Sequence, residues 1–388
     1  MSERSEGIKK HAPVVTPSDE GGPMSERSEG IKKHAPVVTP SDEGGPMSER
    51  SEGIKKRAPV VTPSDEGGPM SERSEGIKKR APVVTPSDEG GPMSGHETSG
   101  VVAVEGAELR WRRLGRGERT IVAAHQGPGG PPRPLWLRML AEVPGLNVLS
   151  LELRGTDGSP RSHEDLGDRW YERWAADVAR VADVLGETSY VYAGASHGAV
   201  VGWHLALARP PGLRALVSVV GAPHGRDAGP GRSSGWEQRR AAAHDRRPAE
   251  EIFASMRPPT SDPLRLRRRA QARERYLKSL ETLDPETLPR AGVALPHLRT
   301  DAEVTAELRR VDVPVLVAGG MQDRLCRPED NLRAAAAVPG VRLVLFQDHG
   351  HSTLLDEEPE PLIDQIRLFL SPTAANDRPD HEESSPCL

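Results

Sequence analysis

Cysteine is nearly absent: the 388 residues hold two, Cys326 and Cys387. They lie far apart and form no Cys-x-x-Cys, which argues against a disulfide scaffold and a cysteine-held zinc site. Cys387 is second from the C-terminus, the wrong position for a prenylation box. Charge of either sign is not in large excess. A formal net charge of −5 points to no polyanionic partner at the level of the whole chain. No apolar run reaches the ~18 residues needed to span a bilayer, and the N-terminus lacks a signal peptide's apolar core. The histidines show neither His-Glu-x-x-His nor other metal-ligand spacing, so no metal is expected. The glycine-rich stretch 127–130 has no Gly-x-Gly-x-x-Gly or Walker lysine with it, so no nucleotide or other cofactor is expected. These absences leave a soluble cytoplasmic protein as the simplest expectation, with no nucleic-acid or membrane partner.

The first quarter of the chain is a repeat. MSERSEGIKKHAPVVTPSDEGGP starts at Met1 and recurs at Met24, Met47 and Met70, a period of 23 residues. The copies differ only where His11 and His34 stand against Arg57 and Arg80. Solenoid repeats diverge in sequence and carry a spaced apolar face. These copies have no aromatic residue, and proline punctuates each unit, as at Pro13, Pro17 and Pro23. Such a segment buries too little apolar surface to offset its ordering entropy, so residues 1–92 are expected to form a disordered tail. Composition changes at the same border, for lysine occurs eight times in the repeats and afterwards only at Lys278. Each copy opens Met-Ser, as does Met93-Ser94. Near-identity therefore suggests recent duplication of a segment carrying a start codon, and translation from Met93 would still yield the remaining chain.

From Met93 onward, apolar runs alternate with helical spacing. TIVAAH (120–125) and LNVLSLEL (146–153) read as buried strands, each running into a loop rich in Gly and Pro. Trp170, Trp174, Val178, Val181 and Leu185 lie on one helical stripe, with Asp168 as the expected N-cap and Gly186 as the stop. YVYA (190–193), LRALVSVVGAP (213–223), VPVLVAGGMQD (313–323) and VRLVLFQDHGH (341–351) are further strand candidates. PEDNLRAAAAV (328–338) and PEPLIDQIRLFL (359–370) read as helices. This alternation implies an α/β fold with a mostly parallel, doubly wound sheet. Residues 225–308 break it, with helix-like Arg- and Ala-rich pieces and no convincing strand, and are expected to form a helical lid. The core is then 93–224 and 309–371, followed by a polar, disordered tail at 372–388. Within the lid, LRLRRRAQARERYLK (264–278) is strongly basic but lacks aromatic interleaving apart from Tyr276, so it reads as a solvated helix face.

Gly194-Ala195-Ser196-His197-Gly198 fits Gly-x-Ser-x-Gly, a weak pattern alone. Its place between a strand and a helix is the geometry of a nucleophile elbow. There the glycines admit close backbone approach, and the helix N-terminus faces developing negative charge. A serine hydroxyl needs a base, and the base an orienting acid. Asp323 follows one later strand and His351 another, in the chain order Ser, Asp, His. Asp227 and His349 are the rivals for the last two positions. His349 is expected to face solvent, His125 to shape its loop, His204 to be a satisfied core or surface residue, and Cys326 to be a small buried hydrophobe.

Taken with AHQGPGG, RGTDGSP, GASHG, VPVLVAGGMQD and GHSTLLDEEPE, residues 101–371 resemble the α/β-hydrolase fold superfamily, nearest its proline-iminopeptidase-like and small-molecule esterase branches. The resemblance implies a catalytic triad of Ser196, Asp323 and His351. It implies an oxyanion hole made by the amide of His197 with one from Gln126 or Gly127. Gln126 stands where the family usually has glycine, and Glu152 where it has aspartate two residues before Arg154. The implied activity is a serine hydrolase acting on an ester or amide of a small molecule. A non-catalytic ligand binder, an aminopeptidase using a lid acid (Glu250, Glu251 or Glu274) to hold a free amine, and a cofactor-free perhydrolase are the alternatives.

Overall fold

Strands covered on both faces read as near-continuous apolar runs, because neither side meets water. Five such runs form the middle of the sheet: β3 (Arg119–Ala124), β4 (Leu146–Leu151), β5 (Tyr190–Ala195), β6 (Leu213–Val219) and β7 (Val315–Gly320). They are seen in a computed structural model that describes residues 97–124, 134–155, 166–226, 241–242, 244–281 and 293–371, all within one unit, Gly76–Leu388. The expectations placed on residues 1–92 and 372–388 lie outside the described residues. β8 (Arg342–Phe346) closes one edge, and β1 (Glu97–Val104) with β2 (Ala107–Gly115) closes the other. The eight strands run in the order β1-β2-β4-β3-β5-β6-β7-β8. Pairings from β4 to β8 are parallel, and β2 is antiparallel to both neighbours. This is the mostly parallel, doubly wound sheet that the sequence leads one to expect.

β1 and β2 are not among the strands expected from the sequence. Their signal was present as alternation, for Val102, Leu109 and Trp111 are buried between more exposed neighbours. The two-residue connection Glu105-Gly106 places Gly106 at φ +71°, which suits glycine.

Helices cover both faces. α2 (Trp170–Val184) and α3 (His197–Ala208) pack on one side, and α1 (Leu135–Ala141) and α8 (Glu360–Leu370) on the other. α2 ends as expected, with Gly186 at φ +77°. Its start differs: a 3₁₀ turn, Gly167–Arg169, runs directly into Trp170, so Asp168 lies inside that turn and Arg169 precedes the helix.

Between β6 and β7 come α4 (Arg246–Ser255), α5 (Pro263–Glu281) and α6 (Asp301–Leu308), and then α7 (Pro328–Ala337) after β7. The two ends of this insertion are tied together. Asp301 Oδ1 accepts the amides of Gly225 (2.8 Å) and Arg226 (2.9 Å). The Arg226 guanidinium donates to the carbonyls of Pro223 (2.6 Å), Leu295 (2.9 Å) and Leu298 (3.1 Å). The basic helix α5 is not simply a solvated face. Arg265 is buried, and Arg268 and Arg269 pair with Glu360 and Glu357. Among the described residues no helix is long and apolar enough to cross a membrane.

His204 on α3 is buried, accepts the Leu295 amide on Nε2 at 3.3 Å and stacks on Tyr171. Burial lowers its pKa from 6.5 to about 4, and that of His224 likewise. The folded state holds His204 neutral, because a protonated Nε2 would set one donor against another. The unfolded chain takes up that proton near pH 6.5, so below this value the unfolded state binds more protons and stability falls as pH drops toward 4. Thermal melts across this range are expected to show a falling Tm. His204→Gln, whose side-chain oxygen can still accept the Leu295 amide, should flatten part of that slope.

Candidate active site

β5 ends at Ala195 and α3 begins at His197, so Ser196 alone makes the turn, at φ +54° and ψ −116°. A non-glycine residue held there carries roughly 1–3 kcal/mol of strain, which the surroundings must offset. The Ser196 amide donates to the Val219 carbonyl at 2.9 Å, and the Tyr192 hydroxyl donates to the Gly198 carbonyl at 2.8 Å. Burial pushes the Tyr192 hydroxyl well above the ordinary tyrosine value, so it remains a donor. Close approach makes this turn possible. A Cβ on Gly194 would be driven into the Gly198 carbonyl and lie 2.7 Å from the Ala199 nitrogen, and one on Gly221 would lie 2.6 Å from the Ser196 oxygen. Gly194→Ala meets rigid backbone, not a movable side chain. It is expected to lower stability by about 4 kcal/mol or more, measurable as a shift in denaturant midpoint.

The other two sequence-predicted side chains come to the same place from the next strand ends. Asp323 follows β7 and His351 follows β8, and both are buried. His351 Nε2 lies 2.9 Å from Ser196 Oγ, and His351 Nδ1 lies 2.8 Å from Asp323 Oδ2. The carboxylate fixes Nδ1 as a donor, which leaves Nε2 free to accept from the serine hydroxyl. The second oxygen of Asp323 is also engaged, for Oδ1 accepts the amides of Leu325 (2.8 Å) and Cys326 (2.9 Å). Cys326 does more than fill space, because its sulfur accepts the Ala222 amide at 3.1 Å.

His349 does not face solvent. It is buried, its ring packs on Phe346, and its Nε2 lies 3.4 Å from a Glu358 carboxylate oxygen. The tight turn explains this, since the amide of Gln322 donates to the His349 carbonyl and draws the residue under the loop after β7. His197 stacks on Tyr171 at 6.0 Å between ring centres, so α2 supports the residue beside the serine. Gln126 and Gly127, and with them His125 and Asp227, lie outside the described residues. The candidate lid acids are committed elsewhere or exposed. Glu250 pairs with Arg246 and Arg273, Glu251 pairs with Arg247, and Glu274 is exposed. Among the described residues no group of three His, Cys, Asp or Glu side chains is placed to hold a metal ion.

Two features escaped the reading of the sequence. Arg154, fully buried after β4, forms a two-pronged pair with Asp177 (2.9 and 2.8 Å), and its carbonyl accepts the Trp174 indole N–H. An aspartate flanked by Trp174, Val178 and Val181 on a buried stripe was the available signal. The second is the group of arginines gathered on Glu357. Of those arginines, Arg265 and Arg269 were legible only as part of a basic run and Arg257 not at all, because their partner lies some ninety residues or more further along the chain.

Residues 119–358 match a family described as alpha/beta hydrolase fold. A 2-hydroxymuconate semialdehyde hydrolase from Pseudomonas putida is 25% identical over 243 residues, which cover 62% of this chain and 83% of that protein. A solved hydrolase from Pseudomonas aeruginosa PA01 superposes with a TM-score of 0.54 at 24% identity, covering 70% of this chain and 98% of its own. A carboxylesterase from Bacillus subtilis superposes with a TM-score of 0.56 at 19% identity, covering 72% of this chain and 92% of its own.

Proposed function

This chain belongs to the alpha/beta hydrolase fold family, and from that premise we propose that it is a serine hydrolase cleaving the ester or amide carbonyl of a small molecule. The observation that carries the reading is the unbroken relay from Ser196 Oγ to His351 Nε2 (2.9 Å) and from His351 Nδ1 to Asp323 Oδ2 (2.8 Å). Ser196 attacks the carbonyl carbon while His351 takes the hydroxyl proton, and Asp323 stabilises the imidazolium so formed. His351 then protonates the leaving group, which departs and leaves an acyl-serine. Water, deprotonated by the same imidazole, attacks that acyl group, and the proton returns to Ser196 as the acid leaves.

The negative oxygen of each tetrahedral intermediate is held by the His197 amide in the first turn of α3, together with an amide of Gln126 or Gly127. Each such donor contributes about 3–4 kcal/mol to the transition state. Of the two substrate classes, the ester is favoured over a peptide with a free amine. A free ammonium needs an unpaired carboxylate; Glu250 and Glu251 pair with arginines, which leaves only the solvent-exposed Glu274 of the three candidate lid acids. The test is a screen of p-nitrophenyl esters and lactones against proline and alanine arylamides, with Ser196→Ala protein as blank. Turnover of esters that the blank lacks supports the reading. Equal turnover by both proteins refutes it, and arylamide turnover alone shifts it to an aminopeptidase.

A further inference from the structure

Glu357 sits fully buried at the end of a π-helical turn, Thr353–Glu357, six residues past His351. Three arginines of the lid converge on it. Arg269 grips both carboxylate oxygens, with Nε 2.7 Å from Oε1 and a terminal nitrogen 2.8 Å from Oε2. Arg257 Nε stands 3.1 Å from Oε1, and Arg265 Nε 3.6 Å from Oε2. Arg257 also pairs with the adjacent Asp356 and lies over the Phe253 ring at 3.5 Å. A buried carboxylate demands such partners, and a two-pronged guanidinium is the strongest of them.

What this cluster holds is the lid segment 256–258, and that segment touches the backbone on both sides of His351. The Arg269 nitrogen that binds Glu357 Oε2 also donates to the Pro258 carbonyl at 2.8 Å. The Met256 carbonyl accepts the Ser352 amide at 3.2 Å. On the other side of the histidine, Gly350 lies so close to this segment that a Cβ there would come within 2.8 Å of the Met256 oxygen and of Pro258 Cδ. The contacts thus run without a gap from Glu357 through Arg269 and Arg257 to residues 256–258, and from there to Gly350 and Ser352.

We propose that Glu357 is a positioning residue for His351: it clamps lid segment 256–258 against the histidine loop and so keeps Nε2 aimed at Ser196. This rests on the hydrolase reading above. The lid at this corner is a brace for the base, not a free flap. Releasing the Glu357 charge frees Arg269 and Arg257, loosens 256–258 and lets the imidazole drift from the serine. Misplacement of a reacting group by about 1 Å can lower turnover on the order of a hundredfold.

The test compares Glu357→Gln, Arg269→Lys and Glu360→Gln with wild type, using an ester that wild type hydrolyses and counting active sites by fluorophosphonate titration. Glu357→Gln is expected to lower kcat per titrated site, and the rate of Ser196 labelling, by roughly ten- to a hundredfold, with KM changed less than about threefold. Arg269→Lys keeps the charge but cannot reach Glu357 and Pro258 together, so it should lower kcat to a lesser extent while the Tm stays near wild type. Glu360→Gln, which breaks the neighbouring Arg268 pair, should leave kcat within about twofold. Wild-type kcat per site in Glu357→Gln, even with a lowered Tm, overturns the proposal. If Glu357→Gln does not fold, Arg269→Lys decides: lowered kcat supports the brace and unchanged kcat removes it. Ser196→Ala separates the two claims. Hydrolysis surviving in that variant sinks the hydrolase reading, whereas a silent Ser196→Ala beside a fully active Glu357→Gln removes only the brace.

Discussion

Ser196→Ala is expected to lower kcat by roughly 10⁵-fold and to abolish fluorophosphonate labelling, with the fold unchanged. The separation of activity from stability follows from the turn. At φ +54° alanine and serine carry the same Cβ and meet the same backbone strain. The contacts that offset this strain do not involve the serine hydroxyl and survive the exchange, namely the residue 196 amide on the Val219 carbonyl and the Tyr192 hydroxyl on the Gly198 carbonyl. Among the described residues the hydroxyl meets His351 Nε2, at 2.9 Å, and the residue is only half-buried, so water can take its place. The Tm should therefore move by no more than a few degrees. On the proposed mechanism, what disappears is the atom that bonds to the substrate, leaving the oxyanion donors with nothing to stabilise beyond the reaction with water. Kinetics on purified protein together with a melting curve check both halves. Labelling or turnover near wild type would place the nucleophile elsewhere.

How much of this was legible in the sequence depended on whether the signal was local. The five buried strands were readable because each is a short, largely apolar run, and the elbow because its glycines, serine and helix start are adjacent. Asp323 and His351 were readable as residues just past strands, although the 2.8 Å contact that joins them spans 28 positions. β1 and β2 were missed for a different reason: at the sheet edge, apolar residues alternate with arginines such as Arg110 and Arg112, and the alternation is short. His349 was misjudged as solvent-facing because the sequence does not reveal that the Gln322 amide pulls its carbonyl inward. The insertion between β6 and β7 was the least legible part. Its arginines gave a basic run, and only the fold shows that Glu357 and Glu360 lie opposite them.

Asp323→Asn tests the orienting acid, and the expected loss in kcat is about 10⁴-fold. The argument turns on which end of the amide faces the histidine. Asp323 Oδ1 accepts two backbone N–H groups, from Leu325 and Cys326, while Oδ2 accepts His351 Nδ1. In the variant the amide oxygen stays on the two backbone donors, since turning it would set its NH₂ against both and leave them unsatisfied. The NH₂ then faces Nδ1, which must become an acceptor, and the imidazole proton moves to Nε2. That nitrogen now presents a hydrogen to Ser196 Oγ, 2.9 Å away, and can no longer remove its proton. The geometry is preserved and the tautomer is wrong, so KM should change little while kcat and the rate of phosphonate labelling fall together. Loss of the negative charge also withdraws stabilisation from the imidazolium that forms in each step, which acts in the same direction. A kcat within about tenfold of wild type would show that another acid orients His351, with Asp227 the next to replace.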